Sequence, residues 1–542
     1  MNKVAQYLRK HIKGEVLTSK SAREYFATDG SVFTVMPKLV VYPRSVSDVR
    51  KVAKFTWQLA EKGVNLPITA RGRGTCQGGG ALGSGTMLVF PSHLNRLLEL
   101  GKDSVVVEPG MNYRALQDIL ISHGRYLPPY PSSIDYCTLG GAVANNAAGE
   151  NTYKYGATRE FVKSLEVVLS NGDIIETKRL NKRQLSLKMG QDDLEGEIYR
   201  QLDSLIMDNW ELIQAARPGV SKNSAGYDLW DVKRTDGSFD LTPLIVGSQG
   251  TLGIVTKITL FTAPYNPKTS LVVAHFDDIA AAGNAVEDIQ RIQPASIEVV
   301  DGHLLEFIHK THPADLEGLI DDEIPKIVLL IKLDNIKDTV RKKKVKQLKK
   351  ILTDKAREIV VATDPHDQEN LWKIRHSAAA VIQYDSEDGS KALPIIEDGV
   401  VPRNKFSEYI DLIYKTFEKY NLEVALWGHA GDGNLHMQPF LNLSNTGDRQ
   451  KVFKVMDDYY SGVMKLGGST AGEHNDGMLR APYLPILFGK EMYDLFKQTK
   501  TIFDPKNILN TGVKIDVSRK DQVDALRTEY SMNHLADHMP RS

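Results

Sequence analysis

Three separate stretches of this chain are built largely from glycine and other small residues, and they constrain its fold more than any other feature. The first, residues 71–85, contains seven glycines in fifteen positions. The second, residues 137–156, and the third, residues 246–260, share its Gly, Ala, Thr and Asn character. Glycine allows the backbone to approach other atoms closely, because it carries no side chain to hold them away. The pattern indicates backbone packed against a large ligand.

The first stretch, "RGRGTCQGGGALGSG", matches neither of two common phosphate-binding loops. No Gly-Lys-Ser or Gly-Lys-Thr follows it, as a Walker A loop requires, and Gly72 and Gly74 lack the third glycine of a dinucleotide-binding G-x-G-x-x-G. Its successive N–H groups can still converge on an anion, and Arg71 or Arg73 can add positive charge. From the residues alone, a phosphate site and a plain glycine-rich loop are equally supported.

The order of predicted elements divides the chain into two main regions. Strands alternate with helices over residues 37–262, which predicts an α+β or α/β region. Within it, Asn171-Gly172 marks a β-hairpin. Pro264 and Pro267 mark the predicted boundary between the two regions, and a new pattern of strands and long helices follows.

Length, charge and cysteine content restrict the class of protein further. A chain of 542 residues is too long for one ordinary core, so two or three domains are expected. Lys and Arg total 68, as do Asp and Glu, so no overall field draws the molecule to nucleic acid. Cys76 and Cys137 are too few for a four-thiolate iron–sulfur cluster or a disulfide framework. A helix predicted over residues 338–360 is strongly basic, which favours a solvated face over a surface for an anionic partner or a membrane.

The ends of the chain and its apolar runs predict no secretion signal and no membrane span. Residues 1–14 have an amphipathic helical pattern with interspersed charges, whereas a signal peptide needs an unbroken apolar core. The longest apolar runs, such as residues 327–331, fall far short of the about 20 residues that cross a bilayer. We therefore expect a cytoplasmic protein, with peripheral contact at the inner face of a membrane as the alternative. Residues 516–542 are polar and predict a loose tail or a surface helix.

Two short stretches crowd histidine and acid among glycines: "GHAGDGNLH" at residues 428–436 and "AGEHNDG" at residues 471–477. The first predicts a β-hairpin that brings His429 and His436 into a cross-strand relation. Two imidazoles at that spacing suit one divalent metal, with Glu473 as the best third ligand and open positions left for catalysis. From spacing alone, two polar hairpin residues without an ion are the favoured interpretation.

In their order and spacing, the small-residue stretches resemble the flavin-binding domain of the vanillyl-alcohol-oxidase/PCMH superfamily. The motifs that carry the resemblance are "PITARGRGT", "TLGGAVANNAAG", "YGATRE", "GSQGTLGIVT", "GHAGDGNLH", "GEHNDGMLR" and "FDPKNILNTG", and they cover about residues 37–515. More narrowly, the chain is similar to the branch that contains D-lactate dehydrogenase, the glycolate oxidase flavoprotein subunit and D-2-hydroxyglutarate dehydrogenase. The resemblance implies an α+β fold: a PCMH-type FAD-binding domain of two α/β subdomains, and an α+β substrate domain, or cap, with an antiparallel sheet.

The resemblance also implies domain bounds. An N-terminal helical segment (residues 1–32) precedes the FAD-binding domain (33–263), and the cap with the metal site follows (264–499). Residues 500–515 return to the FAD-binding domain before the polar tail, residues 516–542.

By this resemblance, four parts of the chain contact FAD: the first glycine stretch at the pyrophosphate, the second at the flavin and ribityl chain, the third on the adenine side, and a residue near the C-terminus. The residues so implied are Arg71, Gly72, Arg73, Gly74, Thr75, Thr138, Gly140, Gly141, Asn146, Gly149, Gly250, Thr251, Ile254, Val255 and Asn510. Superfamily members with covalent flavin often have His at the Thr75 position, so noncovalent FAD is expected. Gln249 stands where relatives usually have Glu.

The resemblance implies that His429, His436 and Glu473 hold a divalent metal, with zinc favoured and manganese or iron as alternatives. His474 becomes the catalytic base, and Arg375, which we place at the start of a helix, becomes the catalytic carboxylate-binding residue. Further substrate contacts are expected from Lys391, Gln438 and Arg480. Relatives have Gly where this chain has Asn475; Asn tolerates positive φ, so the bend after His474 is expected to persist.

The activity implied is FAD-dependent oxidation of a small 2-hydroxy acid, similar to D-lactate or D-2-hydroxyglutarate, to the 2-oxo acid. Hydride passes to flavin N5, and the metal assists deprotonation of the hydroxyl. Electrons would then leave to a separate acceptor: quinone, an electron-transfer flavoprotein or an iron–sulfur protein. No nucleic-acid partner is expected, and oligomers are compatible with the sequence. The alternatives are a noncatalytic or electron-transferring flavoprotein subunit of a larger complex, and a metal-dependent hydrolase.

Overall fold

A computed structural model of the chain describes residues 2–320, 323–378, 381, 384, 386–423 and 425–540. The chain begins with a four-stranded sheet and the helices that cover it. The strands are β1 (Glu15–Leu17), β2 (Leu39–Tyr42), β3 (Ile68–Arg71) and β4 (Thr86–Val89), and the helices are α1 (Asn2–His11), α2 (Lys20–Tyr25) and α3 (Val46–Glu61). The strand order is β1-β2-β4-β3; β4 is parallel to both its neighbours, and β1 is antiparallel to β2. The segment expected to be purely helical, residues 1–32, therefore also supplies an edge strand.

A second region of the chain follows, built around a five-stranded sheet, with two further short strands paired only with each other. Its elements are β5 (Leu97–Leu100), β6 (Ser104–Val107), α4 (Tyr113–Ser122), β7 (Arg125–Tyr126), α5 (Leu139–Asn145), α6 (Thr152–Tyr155), β8 (Val162–Val168), β9 (Ile174–Thr177), α7 (Lys182–Met189), α8 (Leu194–Asp208), α9 (Trp210–Ala215), α10 (Thr242–Ile245), β10 (Ile254–Phe261) and β11 (Ala263–Pro264). The order is β5-β6-β10-β8-β9, and every pair is antiparallel. The predicted hairpin at Asn171-Gly172 is confirmed, because β8 pairs with β9 across that turn.

The cap is an antiparallel sheet of six strands with helices on both faces. Its elements are β12 (Ser270–Phe276), α11 (Ile279–Gln290), β13 (Ser296–Asp301), α12 (Gly302–Thr311), β14 (Ile327–Leu333), α13 (Asp338–Leu352), β15 (Glu358–Ala362), α14 (Pro365–His376), β16 (Lys391–Ala392), α15 (Phe406–Tyr420), β17 (Leu426–His429), β18 (Asn434–Met437), β19 (Phe440–Leu441) and α16 (Thr446–Lys465). The sheet order is β15-β12-β14-β13-β17-β18. The buried strand β13 lies beside β17, so the histidine hairpin belongs to the cap sheet.

The basic helix predicted over residues 338–360 is too long. Helix α13 ends at Leu352, and β15 follows and pairs with β12 along the edge of the cap sheet. The β-branched run of Ile359, Val360 and Val361 explains the change, because such residues pack well on a pleated surface. Two of these are partly buried against the cap core.

The C-terminal part of the chain returns to the FAD-binding region earlier than expected. It contains α17 (Leu484–Leu487), α18 (Gly489–Phe503) and α19 (Arg519–Ala525). Met492, Leu495 and Phe496 of α18 lie in the same apolar core as the second sheet, so the cap ends before residue 489 rather than at residue 499. The bridge between Ile68 and Leu509 then joins the returning chain to β3.

The last residues form neither a loose tail nor a simple surface helix. The buried Arg527 donates to the carbonyls of Phe33 and Asp29, and the hydroxyl of the buried Tyr530 donates to Gly30 O. Farther on, His534 Nε2 lies 3.0 Å from Gly74 O. The polar side chains satisfy backbone carbonyls of the FAD-binding region, which is why a polar composition is compatible with packing.

In the part of the chain that the structure describes, no helix is both long enough and apolar enough to cross a membrane.

Candidate active site

A cavity of about 1020 Å³ lies between the FAD-binding region and the cap. The glycine stretches line one side of it, and the histidine hairpin lines the other. Volumes in this range are typical of sites for cofactors and small molecules. The two sequence features that pointed to chemistry therefore meet in one space, although they lie far apart along the chain.

The first glycine stretch contributes backbone to the cavity. It follows β3, and Gly74 has a φ of +75°, a left-handed conformation that favours glycine. The Arg71 guanidinium is buried and donates to carbonyls of residues behind the loop, Thr28 and Ala81 among them. We predicted that Arg71 or Arg73 would add charge to an anion site; the charged group of Arg71 is engaged by these carbonyls, and that of Arg73 donates to Leu535 O at 3.1 Å.

The first two glycine stretches touch one another, and this contact requires glycine. A Cβ on Gly72 would lie 2.3 Å from Thr138 Oγ1, closer than two such atoms can approach. Thr138 is itself fixed, because its hydroxyl accepts from Gly141 N at 3.2 Å and caps α5. A close-packed backbone surface of this kind suits a large flat cofactor.

The predicted FAD contacts fall into two groups. Those that line the cavity are Arg71, Gly72, Arg73, Gly74, Thr75, Thr138, Gly140, Gly141, Gly149, Gly250 and Val255. Asn146, Thr251, Ile254 and Asn510 do not line it. Asn510 shows why: its amide donates to the carbonyls of Gly80 and Gln249, so it holds two glycine stretches together from behind.

The histidine hairpin forms as predicted, with one difference in register. Trp427 pairs with His436, and His429 pairs with Asn434, so the two histidines are diagonal neighbours rather than directly opposite. Both still point to the same face, because side chains two apart on a strand share a face. Their ring centroids lie 5.3 Å apart.

Three imidazoles converge on the carboxylate of Glu473. Its Oε1 lies 3.3 Å from His429 Nε2, 3.1 Å from His436 Nε2 and 3.6 Å from His474 Nε2. Its Oε2 accepts from Lys222 Nζ at 2.6 Å, and both partners of that pair are buried. Converging imidazole nitrogens around one buried carboxylate are the donor set of a divalent metal site, so the residues present fit the ion that the sequence predicts.

A second layer of carboxylates orients the histidines. Glu298 Oε1 lies 2.8 Å from His429 Nδ1, and Glu298 Oε2 accepts from Arg375 Nε at 2.9 Å. Glu397 contacts His474 Nδ1, lies 3.4 Å from His436 Nδ1, and pairs with Arg480. Carboxylates behind metal-ligating histidines fix the ring orientation and tautomer.

The electrostatics of the cluster favour positive charge at its centre. Burial by itself would raise the pKa of Glu298, but His429 and Arg375 lower it to about 2. Burial likewise disfavours charged imidazoles, yet Glu298 raises the pKa of His429 to about 9, and Glu397 raises that of His474 to about 9. A site whose carboxylates stabilise charged imidazoles will also stabilise a bound cation.

The bend after Glu473 is present. Asp398 has a φ of +76°, and its carboxylate accepts from the N–H groups of both Glu473 and His474. Asn475 has a φ of +65°, so asparagine does adopt the left-handed conformation expected where relatives have glycine. Adjacent residues of the loop can therefore serve one site.

The predicted substrate residues have different fates. Arg375 lines the cavity, but it lies in the last turn of α14 and not at a helix start. Gln438 also lines the cavity, and its buried Oε1 has no hydrogen-bond partner among the described residues. Arg480 is fully buried, is bound to Glu397 and to the Tyr460 hydroxyl, and does not line the cavity. Lys391 does not line the cavity.

Four site residues escaped the sequence prediction: Lys222, Glu298, Glu397 and Asp398. A signal for three of them exists. Glu298 interrupts the apolar run "ASIEVV", and Glu397 and Asp398 follow "LPII". Charged residues are rarely buried unless paired, so an acid inside an apolar strand is a candidate site residue.

Comparisons with known proteins agree with this geometry. Residues 37–178 match the family model described as "FAD binding domain", and residues 266–513 match "FAD linked oxidases, C-terminal domain". The chain is 30% identical over 505 residues to glycolate oxidase subunit GlcD of Bacillus subtilis, covering 91% of this chain and 92% of that protein. It is 28% identical to D-lactate dehydrogenase of Archaeoglobus fulgidus, covering 88% of this chain and 90% of that protein.

Two further matches extend the comparison. D-2-hydroxyglutarate dehydrogenase of Escherichia coli is 28% identical over 92% of this chain, but the chain spans 50% of that protein's length. Among solved structures, p-cresol methylhydroxylase with substrate bound superposes with a TM-score of 0.70 at 15% identity, covering 95% of this chain and 97% of that one. At that identity the likeness shows the fold.

Proposed function

This chain belongs to the family of FAD-linked oxidases, and from that premise we propose that it oxidises a small 2-hydroxy acid to the 2-oxo acid. FAD would be held noncovalently along the glycine stretches, and a divalent metal would be held by His429, His436 and Glu473. The observation that carries the proposal is the shared cavity, which joins a backbone surface fit for a flavin to a buried cluster of acid–base groups. The names of relatives, among them D-lactate dehydrogenase, lead us to expect D-enantiomers.

Arg375 would bind the substrate carboxylate. Its Nε is engaged by Glu298, while its terminal nitrogens make no hydrogen bond to the described residues. A guanidinium fork suits a carboxylate, because it offers two parallel donors. Glu298 therefore fixes both Arg375 and His429, which links the carboxylate site to the metal site.

His474 would take the hydroxyl proton in its neutral form, which a metal cation bound beside it would favour by lowering the pKa of the imidazole. Its Nδ1 contacts Glu397, which leaves Nε2 on the side of Glu473 and the cavity. When bound, the metal supplies Lewis acidity at the hydroxyl, and FAD supplies the hydride acceptor. Glu397 stabilises the imidazolium that results, because it stays ionised beside it. Burial alone would raise the pKa of Glu397, but the charges of His474 and Arg480 hold that pKa well below its usual range.

The proposal is tested by mixing the holoprotein anaerobically with a panel of 2-hydroxy acids, each as both enantiomers. We expect loss of the yellow flavin absorbance with a 2-hydroxy acid of one hand and no change with the corresponding 3-hydroxy acid. Flavin that stays oxidised with every member of the panel would remove the proposed activity. Acid precipitation should leave all flavin in the supernatant, because Thr75 offers no imidazole for a covalent bond.

Ligand and base roles are separated by three variants. His429→Ala and His436→Ala should lose both the metal and substrate-dependent flavin reduction while they retain FAD. His474→Ala should retain the metal and slow flavin reduction by roughly 10²–10⁴-fold, as expected for a lost general base. Elemental analysis beside the reduction rate decides between the roles. A His474→Ala protein without metal would make that residue a ligand.

A further inference from the structure

The loop that carries Glu473 and His474 is tied to the FAD-binding region at several points, and the tie next to His474 is made by Asn475. We infer that Asn475 is a positioning residue, which fixes the distance and angle between the base His474 and the flavin. The inference rests on the proposed function for its catalytic consequence. Its structural basis lies in contacts that do not depend on that function.

The amide of Asn475 uses its full hydrogen-bonding capacity inside the protein. Its Nδ2 donates to Asn145 O at 3.0 Å and to Gly247 O at 2.9 Å. Its Oδ1 accepts from Lys514 Nζ at 2.6 Å and from Asp476 N at 2.7 Å. The residue is fully buried. A buried amide with two donors and two acceptors satisfied holds its partners in one relative orientation.

The partners of Nδ2 belong to the cofactor surface. Asn145 is the last residue of α5 and lines the cavity, and Gly247 lies in the third glycine stretch. The remaining stretch is contacted three residues later, where Gly78 O accepts from Met478 N at 2.8 Å. Within five residues, the loop therefore touches all three small-residue stretches.

The other end of the loop is held by the cap. Asp398 accepts from the N–H groups of Glu473 and His474, whereas Ser224 of the FAD-binding region binds Asn475 N at 3.0 Å. The N–H group of His474 is therefore held by the cap, whereas that of the adjacent Asn475 is held by the FAD-binding region. Removing the Asn475 side chain cuts the tie next to the base but spares the contacts that hold the metal ligands.

Asn475→Gly is the informative substitution, because glycine accepts the φ of +65° and only the amide is lost. We expect FAD and metal contents to match the wild type, and the limiting rate of flavin reduction to fall by up to about 10²-fold, as a small misplacement of a catalytic group can cost. The substrate concentration at half-maximal rate should change little, since Arg375 is untouched. With α-deuterated substrate, the isotope effect on the limiting rate should be at least as large as in the wild type.

Asn421→Gly is the matched control. Asn421 is also left-handed, with a φ of +49°, but it is exposed at the end of α15. It should leave the reduction rate unchanged. Asn475→Asp provides a second variant should the glycine protein fail to fold, because Asp keeps both acceptors and loses both donors; it should show the same fall in limiting rate.

Hydrogen exchange supplies a readout that does not require turnover. Amides of residues 474–478 should exchange at least tenfold faster in Asn475→Gly than in the wild type, because the side-chain contacts of Asn475 with the FAD-binding region are lost. A wild-type limiting rate in either Asn475 variant, or loss of the metal from Asn475→Gly, would overturn the inference. Wild-type protein whose flavin no hydroxy acid reduces would instead defeat the proposed function and leave the exchange result to stand.

Discussion

The side of the cavity formed by the FAD-binding region is rich in glycine, whereas the cap side carries a cluster of charged side chains. Glycines such as Gly72 and Gly74 expose peptide groups, and the Arg71 guanidinium turns away to bind carbonyls behind them. On the opposite side, Glu473 and its histidines depend on partners from several distant segments. A close-packed backbone surface is disrupted when a substitution adds a side chain, as at Gly72. A cluster of buried charges is disrupted when a substitution removes one of the charged side chains.

The two sides of the cavity also differ in how much free energy of unfolding a substitution should cost. A buried charge pair that loses one partner leaves an uncompensated charge, which is expensive in a low-dielectric interior. A backbone surface that loses one capping hydroxyl keeps its shape and loses one modest hydrogen bond. Substitutions on the cap side should therefore cost more than those on the flavin side.

The largest effect is expected from Lys222→Met in metal-free protein. Lys222 and Glu473 are buried together, so the change should lower the free energy of unfolding by about 3–5 kcal/mol. Lys257→Met is the control: Lys257 is 40% exposed and lies 3.0 Å from Glu166, so its loss should cost about 0–1 kcal/mol. Urea unfolding of both variants measures the difference. Equal losses would show that burial does not set the cost.

The next effect concerns the second layer of the cluster. Glu298→Gln should weaken metal binding about 10–100-fold, because His429 loses the carboxylate that orients it. Glu358→Gln removes a comparable partner from His275 elsewhere in the cap, where the two atoms lie 2.9 Å apart, and should leave affinity unchanged. Competition with a chelator gives both values. An unaltered affinity in Glu298→Gln would argue against an orienting role.

A smaller effect is expected on the flavin side, from Thr138→Ala. This change removes the cap of α5 and should lower the free energy of unfolding by about 1 kcal/mol, with FAD content unchanged. Thr138→Ser, which keeps the hydroxyl, should behave as the wild type. Complete loss of FAD from the alanine variant would make the side chain itself a cofactor ligand, and the contrast between the two sides would then break down.

The smallest effect is a pH dependence at the C-terminal segment, where His534 lies against Gly74. Burial and Arg71 lower the pKa of His534 from 6.5 to about 4, so the docked segment resists protonation and the detached one does not. Docking is therefore fully stable above pH 6.5 and weakens as the pH falls towards 4.

From pH 8 to pH 6 the opening of residues 530–540 should increase about fourfold, as measured by hydrogen exchange corrected for intrinsic rates. His534→Gln keeps a donor for the Gly74 carbonyl and removes the titration, so its opening should not vary with pH. If the wild-type segment opens equally often at pH 8 and pH 6, protonation of His534 does not control its docking.

The residues differ in how far the sequence could predict them. The glycine stretches could be located because the signal lies within each short segment. A loop that exposes its backbone to a ligand is rich in glycine regardless of where it lies in the fold. The hairpin of His429 and His436 was located for a similar reason, since seven residues with a central glycine turn bring both imidazoles to one face. The bend at Asn475 followed from the backbone preference of asparagine itself.

The sequence could not predict which residues pair with the buried charged side chains. Arg480, which we predicted to contact the substrate, is bound to Glu397, and α18, which we predicted to belong largely to the cap, packs on the core of the FAD-binding region. A charge within an apolar run shows that a partner exists without showing which residue it is.

The sequence by itself located the glycine stretches and the histidine hairpin, both encoded within short segments, and their resemblance to a known family implied a flavin surface and a metal site. Only the tertiary structure decided that they share one cavity, that Lys222 reaches Glu473 across 251 residues, and that Glu298 links His429 to Arg375. The physical reason is the distance along the chain over which each feature is determined. Backbone conformation is set by neighbours along the chain, whereas the pairing of buried charges is set by whichever segments the packed core brings together.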